Sequence, residues 1–546
     1  MRECRHDFLP NQAGFVDPEG HRCGARYVTP ASTETRVRLA DVLGGLSMVA
    51  DLGFGLPPGE AMRSCLVATA LARELDLPEA EVADAFYAAL LMHVGCVSMS
   101  HETSVLFGNE LTLTRAVAKT NLGDPQDLVD TLLPEMTRGL EASAGERLGT
   151  TLITRGPSFG RLYDTASGEV SKATARRIGL PPGTQRALYE DAESWSGEGA
   201  PRGLKGDEIA LPARIVRVAS DAAFFDDIGN EELAVDALKK RSGRTLDPAI
   251  VDVFVRHSRR ILGELNAGDP RDQILKVEPH PIAERDENEL IDIATAFADA
   301  ADLKTPFMHQ HSTGVAALAS LAAERGGLDR AQVKELRIAA LLHDLGRVGV
   351  SDAIWEKPGS LTTAEWEMVR MHPYHSERML AISRTLEPLA RIAGMHHERS
   401  DGSGYHRGSR GAEIPMAARV LAAADAFVAM TQERPHRPAL EPERAADELK
   451  KEARDAKLDA EAVAAVLRVA GQDNGGGRSL RPSGLSEREI EVLRLLAQGY
   501  SNPDIAERLT VSRRTAEHHV QHIYAKIGVS TRPGAALFAL QHHLLS

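Results

Sequence analysis

Seven residues in the second half of the chain are of the types that hold metal ions: His311, the pair His343 and Asp344, His372, the pair His396 and His397, and Asp425. Each sits at the edge of an apolar run or inside one. LRIAALLHDLG, from Leu336, ends its apolar face at His343 and Asp344, and AARVLAAADAFVAM, from Ala417, places Asp425 among alanines. A carboxylate there needs a cation or hydrogen-bond partners, because an unpaired buried charge is costly. Imidazole with carboxylate suits Fe, Mn or Zn, and a carboxylate between two imidazole sets can bridge two ions. Two ions close together clamp a phosphate, activate a water and stabilise the leaving oxygen, which is the chemistry of phosphodiester hydrolysis. A single histidine would read as a packed or surface side chain; this many in one segment point to a metal centre.

The elements that must position them are helices. Apolar residues recur at three- and four-residue intervals, Ala and Leu dominate, and strand-like alternation is scarce, so the chain is expected to be all-α. Polar, Pro- and Gly-bearing stretches break the pattern from Leu265 (LNAGDPRDQILKVEPHPIAERDENEL) and from Gly471 (GQDNGGGRSLRPSG), the second with the composition of a flexible linker. The two long segments parallel each other. ELAVDALKKRSGRTLDPAIVDVF from Glu232 matches ERAADELKKEARDAKLDAEAVAAVL from Glu443, LPARIVRVAS from Leu211 matches PMAARVLAAAD from Pro415, and AFYAALLMHVG from Ala85 matches LRIAALLHDLG. The chain is therefore expected to hold two divergent copies of one helical domain and a tail. The expected boundaries are an N-terminal segment 1–35, a first copy 36–265, a linker and entry helix 266–300, a second copy 301–470, a linker 471–483 and a tail domain 484–546.

HSTGV at His311, LLHDLGRVGVSDAIWEKPGSLT at Leu341, MHPYHSERML at Met371, HHERSDGSGYHRG at His396 and ARVLAAADAF at Ala418 occur in an order that resembles the HD-GYP branch of the HD phosphohydrolases. The resemblance runs from about Asp302 to Val469 and includes DLKTPFMHQHS before the first histidine. It implies His311, His343, Asp344, His372, His396, His397 and Asp425 as metal ligands and Asp344 and Arg347 as catalytic residues. It also implies two divalent ions, Fe or Mn ahead of Zn, and hydrolysis of cyclic di-GMP to pGpG or GMP. Four positions depart from the pattern. Arg347 replaces a lysine and can still grip phosphate through two parallel hydrogen bonds. Phe307 stands where some members carry a glutamate for a third ion, Val428 replaces an aspartate, and His406 replaces the GYP proline. His406 is expected to be an exposed loop residue, with an extra ligand or a phosphate contact as alternatives. Three readings follow: an active phosphodiesterase, an inactive sensor of metal or nucleotide, or an HD phosphohydrolase acting on another nucleotide.

In the first copy the corresponding positions read Arg63 for the first histidine, His93 and Val94 for the His-Asp pair, Asp191 and Ala192 for the paired histidines, and Ser220 for the last aspartate. That set cannot hold a metal. SGEGAPRGLKGDEIALPARIV, from Ser196, keeps the loop and helix, so the copy is expected to act as a structural or dimerising partner, with a sensor role as the alternative.

In the tail, Ser486 and Glu489 form a capping box ahead of a stripe of Ile490, Leu493, Leu496 and Ala497, and Gly499 ends that helix. Ser501 caps a short helix with Pro503 in its first turn. Ser512 caps a third, with Ala516, Val520, Ile523 and Ile527 inward and Arg513, Arg514, Thr515, His518, Gln521, His522 and Lys526 outward. Such a helix can enter a major groove, where Arg and Gln read base edges and Lys holds phosphate. The last sixty or so residues resemble the LuxR-type helix-turn-helix, which implies double-stranded DNA as partner and a dimerising last helix from about Arg532. Charge agrees with this placement: the chain carries −14 overall, whereas from Gly471 onward nine basic residues meet seven acidic ones.

Cys4, Cys23, Cys65 and Cys96 form no disulfide framework, and Cys4, His6, His21 and Cys23 fit no compact zinc module. MRECRHDFLP has no apolar stretch after its charges, and no window is expected to reach membrane-spanning length. The expectation is a cytoplasmic, homodimeric regulator that uses a cyclic dinucleotide or other nucleotide and has no membrane partner.

Overall fold

The computed structural model describes residues 36–471 and 482–545. Cys4, His6, His21, Cys23 and most of the Gly-rich linker lie outside the described residues. The fold is all-α. Among the described residues, paired strands are confined to Val37–Arg38 against Glu284–Arg285, which join the starts of the two copies antiparallel. Helices begin where the sequence offers a cap: Asp329 with Gln332, Thr362 with Glu365, Ser486 with Glu489 and Ser501 with Asp504 all close capping boxes.

Each copy repeats the same succession. An entry helix, Leu39–Gly53 or Glu287–Asp302, leads to Glu60–Glu74 or His311–Arg325, then to Glu79–Leu91 or Arg330–Leu342 and a short 3-10 turn, Cys96–Met99 or Leu345–Gly349. Later come Leu211–Asp227 or Met416–Thr431 and a closing helix, Pro248–Leu265 or Ala460–Ala470. The first copy also carries a 36-residue helix, Ala142–Arg177, whose final turns take the place of His372–Leu380.

Repeated hydrogen bonds fix the register between the copies. Asp51 accepts from the Ala61 N–H at 3.2 Å as Asp302 accepts from the Ser312 N–H at 2.9 Å. The Gly95 and Gly346 amides donate to Ser171 and Ser376 at 3.1 and 2.8 Å. Arg214 reaches Asp247 at 2.7 Å as Arg419 reaches Asp459 at 3.0 Å, and Glu193 and Glu398 each accept from an amide at 2.7 Å, of Arg202 and Arg407. This register corrects two positions read from sequence. Glu60, not Arg63, stands at the place of His311, and Met92–His93, not His93–Val94, at the place of His343–Asp344. The first is a displacement of three residues; the second, of one, comes from setting histidine on histidine, and the hydrogen-bonded framework fixes both. Ser167 faces Gly95 as His372 faces Gly346: a Cβ on either glycine would press on the carbonyl oxygen opposite at 2.1 Å.

The copies pack reciprocally. Leu39–Gly53 lies against Leu345–Gly349 and His372–Leu380 of the second copy, and Glu287–Asp302 lies against Cys96–Met99 and Ala142–Arg177 of the first. Asp41 accepts from Ser383 Oγ at 2.7 Å and the Thr385 amide at 2.9 Å, and Arg177 bonds Asp299 at 2.5 Å. One apolar core runs through both copies. The tail has its own core, which Val170 of the long helix and Leu303 also enter. Ser530 donates to Glu169 through its amide and its hydroxyl, both at 2.7 Å.

One expectation about membranes is corrected. Glu79–Phe107 is long and apolar enough to cross a bilayer, but 89% of its apolar window is buried inside the fold and it is built of two helices joined by the 3-10 turn. Its composition reflects burial on all sides.

Candidate metal centre and nucleic-acid interface

The seven candidate ligands come from five places in the second copy, four of them helix ends. His311 opens the helix His311–Arg325, and His343 and Asp344 directly follow Arg330–Leu342. His372 opens His372–Leu380, and His396 and His397 stand just beyond Glu387–Gly394. Asp425 lies within Met416–Thr431. Helix ends carry carbonyls without intrahelical partners, and three of the histidines use them. His343 Nδ1 is 2.6 Å from Ala340 O, His372 Nδ1 is 2.6 Å from Val369 O and His396 Nδ1 is 2.7 Å from Ala393 O. A carbonyl only accepts, so each Nδ1 carries the hydrogen and each Nε2 turns a lone pair to the centre.

Asp344 stands between two groups of these nitrogens. Its Oδ1 lies 3.3 Å from His372 Nε2 and 3.4 Å from His396 Nε2, and its Oδ2 lies 3.6 Å from both His311 Nε2 and His343 Nε2. Asp425 completes one side, with Oδ1 3.2 Å from His311 Nε2, and its Oδ2 lies 3.9 Å from His397 Nδ1. His311, His343 and Asp425 thus form one donor set and His372, His396 and His397 another, with Asp344 between them. His372 Nε2 and His396 Nε2 approach to 3.1 Å, two lone pairs facing one another. The fully buried His343 Nε2 and the buried Asp344 Oδ1 have no hydrogen-bond partner. Orphaned donor atoms of this kind, converging in a closed site, fit divalent cations and are expensive without them.

The charges of the site agree. Burial opposes the charge on Asp344, but His343, Arg347, His372 and His396 outweigh it and hold its carboxyl well below the carboxylate range. Asp425 is held down in the same way, against burial, by His311, His397 and His343. Burial, aided by His396 and His372, pushes His397 well down, so its imidazole is neutral and ready to coordinate.

Around the donors stand groups suited to an anion. The Arg347 guanidinium lies 3.7 Å over the Trp355 ring and 3.7 Å from Asp344 Oδ2. Arg434, which the sequence reading missed, donates to Phe307 O at 3.1 Å, and burial and Arg347 bring its guanidinium down to about 10. Its signal was an arginine in ERPHRP, just beyond the helix that bears Asp425. Asp302, Lys304, Thr305, Asp344, Arg347 and Trp355 line a cavity beside the donors. The Tyr405 ring lies 4.9 Å from that of His397. His406 is not the exposed loop residue expected: it is half-buried and bonds Glu377 at 3.0 Å.

The equivalent place in the first copy holds no donor set. His93 Nδ1 bonds Asp51 at 2.8 Å, and the His93 ring stacks on Phe54 at 4.7 Å. Arg217 occupies the helix that would carry the last aspartate. Burial works against its charge, and Asp221, Asp191 and Asp164 outweigh it.

In the tail, Ser512 caps Arg513–Ile527, whose Ala516, Val520 and Ile523 are buried. Arg513, Arg514, Thr515, His518, Gln521 and His522 are exposed, as a groove-reading face requires. Lys526 is exposed as well, and its ammonium also bonds Glu489 at 2.7 Å, which ties it to the first helix of the tail. The last helix, Arg532–Gln541, is largely buried.

Residues 295–462 match the family described as HD domain, and residues 483–539 match the bacterial regulatory proteins of the luxR family. The chain is 33% identical over 408 residues to 3'3'-cGAMP-specific phosphodiesterase 3 of Vibrio cholerae, covering 74% of this chain and 88% of the relative. It is 39% identical over 151 residues to a cyclic di-GMP phosphodiesterase of Thermotoga maritima, covering 27% of this chain and 40% of that one. A crystal structure of a cyclic GMP-AMP-specific phosphodiesterase from V. cholerae superposes with a TM-score of 0.56 at 28% identity, covering 80% of this chain and 98% of that one. That share is too large to leave out the first copy.

Proposed function

From the premise that this chain belongs to the HD-domain phosphodiesterases of the HD-GYP type and carries a LuxR-type domain, we propose that its second copy hydrolyses a phosphodiester bond of a 3',3'-cyclic dinucleotide and that its tail binds double-stranded DNA under control of that module. The observation that carries the reading is Asp344, a carboxylate set between two groups of imidazole nitrogens whose hydrogens point away from it. His311, His343 and Asp425 would hold one divalent ion and His372, His396 and His397 another, shared through Asp344, with Fe or Mn ahead of Zn. Ions bound there would supply Lewis acidity and an activated water. The chain's own residues do the rest. Arg347 and Arg434 bind non-bridging phosphate oxygens through paired hydrogen bonds. The anchored Nδ1 hydrogens keep three imidazoles in the orientation the site needs.

The substrate is proposed from the relatives. One acts on 3'3'-cGAMP and is matched over 88% of its length; another acts on cyclic di-GMP and is matched over 40% of its length. Protein loaded with Mn or Fe is expected to linearise at least one of the two, and a His343→Ala/Asp344→Ala variant to linearise neither. Absence of turnover with both substrates would remove the enzyme reading. A sensor that binds nucleotide without cleaving it is the second reading, favoured by Val428 and His406 in place of the family's residues.

The route from module to tail is proposed to run through Pro306–Met308. A Cβ at Gly499 of the tail would lie 3.2 Å from Pro306, and the His309 ring, two residues before His311, lies by the Ala497 backbone. Nucleotide bound at the centre should therefore change DNA affinity; DNA binding unaffected by saturating nucleotide would sink the coupling. The groove face is checked by Arg514→Ala, which should weaken DNA binding and lower the salt slope by about one. A cytoplasmic homodimer is the form proposed.

A further inference from the structure

The first copy lends the second a charged side chain. Glu110 opens the helix Glu110–Lys119 of the first copy and is 2% exposed. Its carboxylate takes its hydrogen bonds from the second copy. Lys304 Nζ donates to Oε1 at 2.7 Å, Ser351 Oγ donates to Oε2 at 2.7 Å, and the Asp352 amide donates to Oε1 at 2.9 Å. Lys304 is itself 2% exposed and lies 3.5 Å from Asp352 Oδ1. From the neighbouring helix Ser100–Phe107, His101 Nδ1 bonds Glu356 at 2.6 Å.

These contacts converge on one short turn. Asp352–Trp355 is a single helical turn, with Glu110 at its start and His101 just past its end. The turn carries Trp355, and Trp355 holds Arg347 twice: its ring lies 3.7 Å under the guanidinium, and its Nε1–H donates to Arg347 O at 3.3 Å. The Trp355 ring also lies 5.7 Å from that of the ligand His372, the planes at 66°. Lys304, Arg347 and Trp355 line the same cavity beside Asp344. A buried carboxylate with three donors is a fixed point, because losing it strands a buried ammonium and a buried amide. An isolated four-residue turn has no comparable anchor of its own.

We infer that Glu110 is a positioning residue for the second copy's site: it fixes the Asp352–Trp355 turn so that Trp355 holds Arg347 over the phosphate position. The inference rests on the proposed phosphodiesterase reading, and deepens it by making the metal-free copy part of the working site.

The test uses the full chain with Glu110→Gln, which keeps shape and removes the charge, and with Glu110→Gln/Lys304→Met, which leaves no stranded ammonium. Two readouts are taken. The first is Trp355 emission and its quenching by acrylamide in a Trp195→Phe/Trp366→Phe background, where it is the remaining tryptophan of three; it needs no turnover. Both variants are expected to leave Trp355 more accessible. The second is kcat/KM with the better substrate, expected to fall about tenfold, equivalent to about 1.4 kcal/mol, with bound metal unchanged. In an Arg347→Ala background Glu110→Gln should cost little more, because the two act in series. Unchanged Trp355 quenching, full activity of the double variant, or the same tenfold loss on top of Arg347→Ala overturns the inference. A wild-type chain without turnover overturns the proposed reaction instead, and the fluorescence result still decides whether Glu110 holds the turn.

Discussion

The two copies share a framework and differ at its centre. Asp51 and Asp302, Gly95 and Gly346, Arg214 and Arg419, and Glu193 and Glu398 make the same bonds in both. At the centre, the seven candidate ligands of the second copy, with orphaned atoms on His343 and Asp344, correspond to Glu60, Met92, His93, Ser167, Asp191, Ala192 and Ser220 in the first. The first copy meets its remaining acids with an internal guanidinium, Arg217, and with protons. Burial, with Asp51 beside it, pushes Glu60 up to about 8, and burial pushes Asp164 up to about 7 against the pull of Arg217. The second copy sets its carboxylates, Asp344 and Asp425, among imidazole nitrogens in donor sets that fit divalent cations. The framework that builds the fold is thus separable from the centre that does chemistry, and a lost metal site needs its own source of charge balance.

The largest expected effect comes from the residue on which the contrast turns. Asp344→Asn should lower turnover by more than the roughly 100-fold typical of outer-shell changes and reduce bound metal. His93→Gln, at the equivalent place, should change turnover less than about twofold. Metal analysis alongside initial rates checks both, and equal losses would erase the distinction between the copies.

Arg217→Met tests the internal cation. Asp191 and Asp164 would lose a nearby cation, while Asp221 keeps Arg241 at 2.7 Å, and unfolding in urea should show a loss of about 2 kcal/mol, less than for a fully enclosed pair. Added Mn should not restore it. Restoration by metal would mean that the first copy can still coordinate.

The copies should also differ in their response to pH. Glu60 has an ordinary value near 4.5 and is raised in the fold, so the folded state holds a proton that the unfolded chain releases. Its contribution is fully present below about pH 4.5 and is lost as pH rises through about 8. The melting temperature should therefore fall by a few degrees from pH 5 to pH 8, at about 2–4 °C per kcal/mol, and Glu60→Gln should flatten part of that slope. A slope indifferent to Glu60→Gln would show that the residue is ionised throughout.

The smallest effect is expected at the loop. Pro201 of the first copy occupies the place of His406, and the amides after them, of Arg202 and Arg407, bond Glu193 and Glu398 alike. His406→Pro should change kcat/KM by less than about threefold, under 1 kcal/mol, since what it removes is the bond to Glu377 and a ring contact with Tyr374. A large loss would give His406 a role in the reaction.

What the amino-acid sequence determined by itself was whatever depends on local pattern. The apolar period gave helices, Ser486 with Glu489 gave a helix start, and repeated segments gave the duplication, because neighbouring residues impose those features directly. Residue type also named the seven candidate donors, since few other side chains offer a lone pair to a cation. Which oxygen of Asp344 faces which imidazole, and that carbonyls three residues back turn three histidines inward, depends on where helix ends meet in space. Two registers in the first copy were misread because shared hydrogen bonds, rather than shared residue types, define equivalence. Arg434, the turn of Lys526 toward Glu489, the tie of His406 to Glu377 and the reach of Glu110 into the other copy join residues up to 242 positions apart. No local rule links such residues; packing brings them together, and burial then decides which charges must find one another.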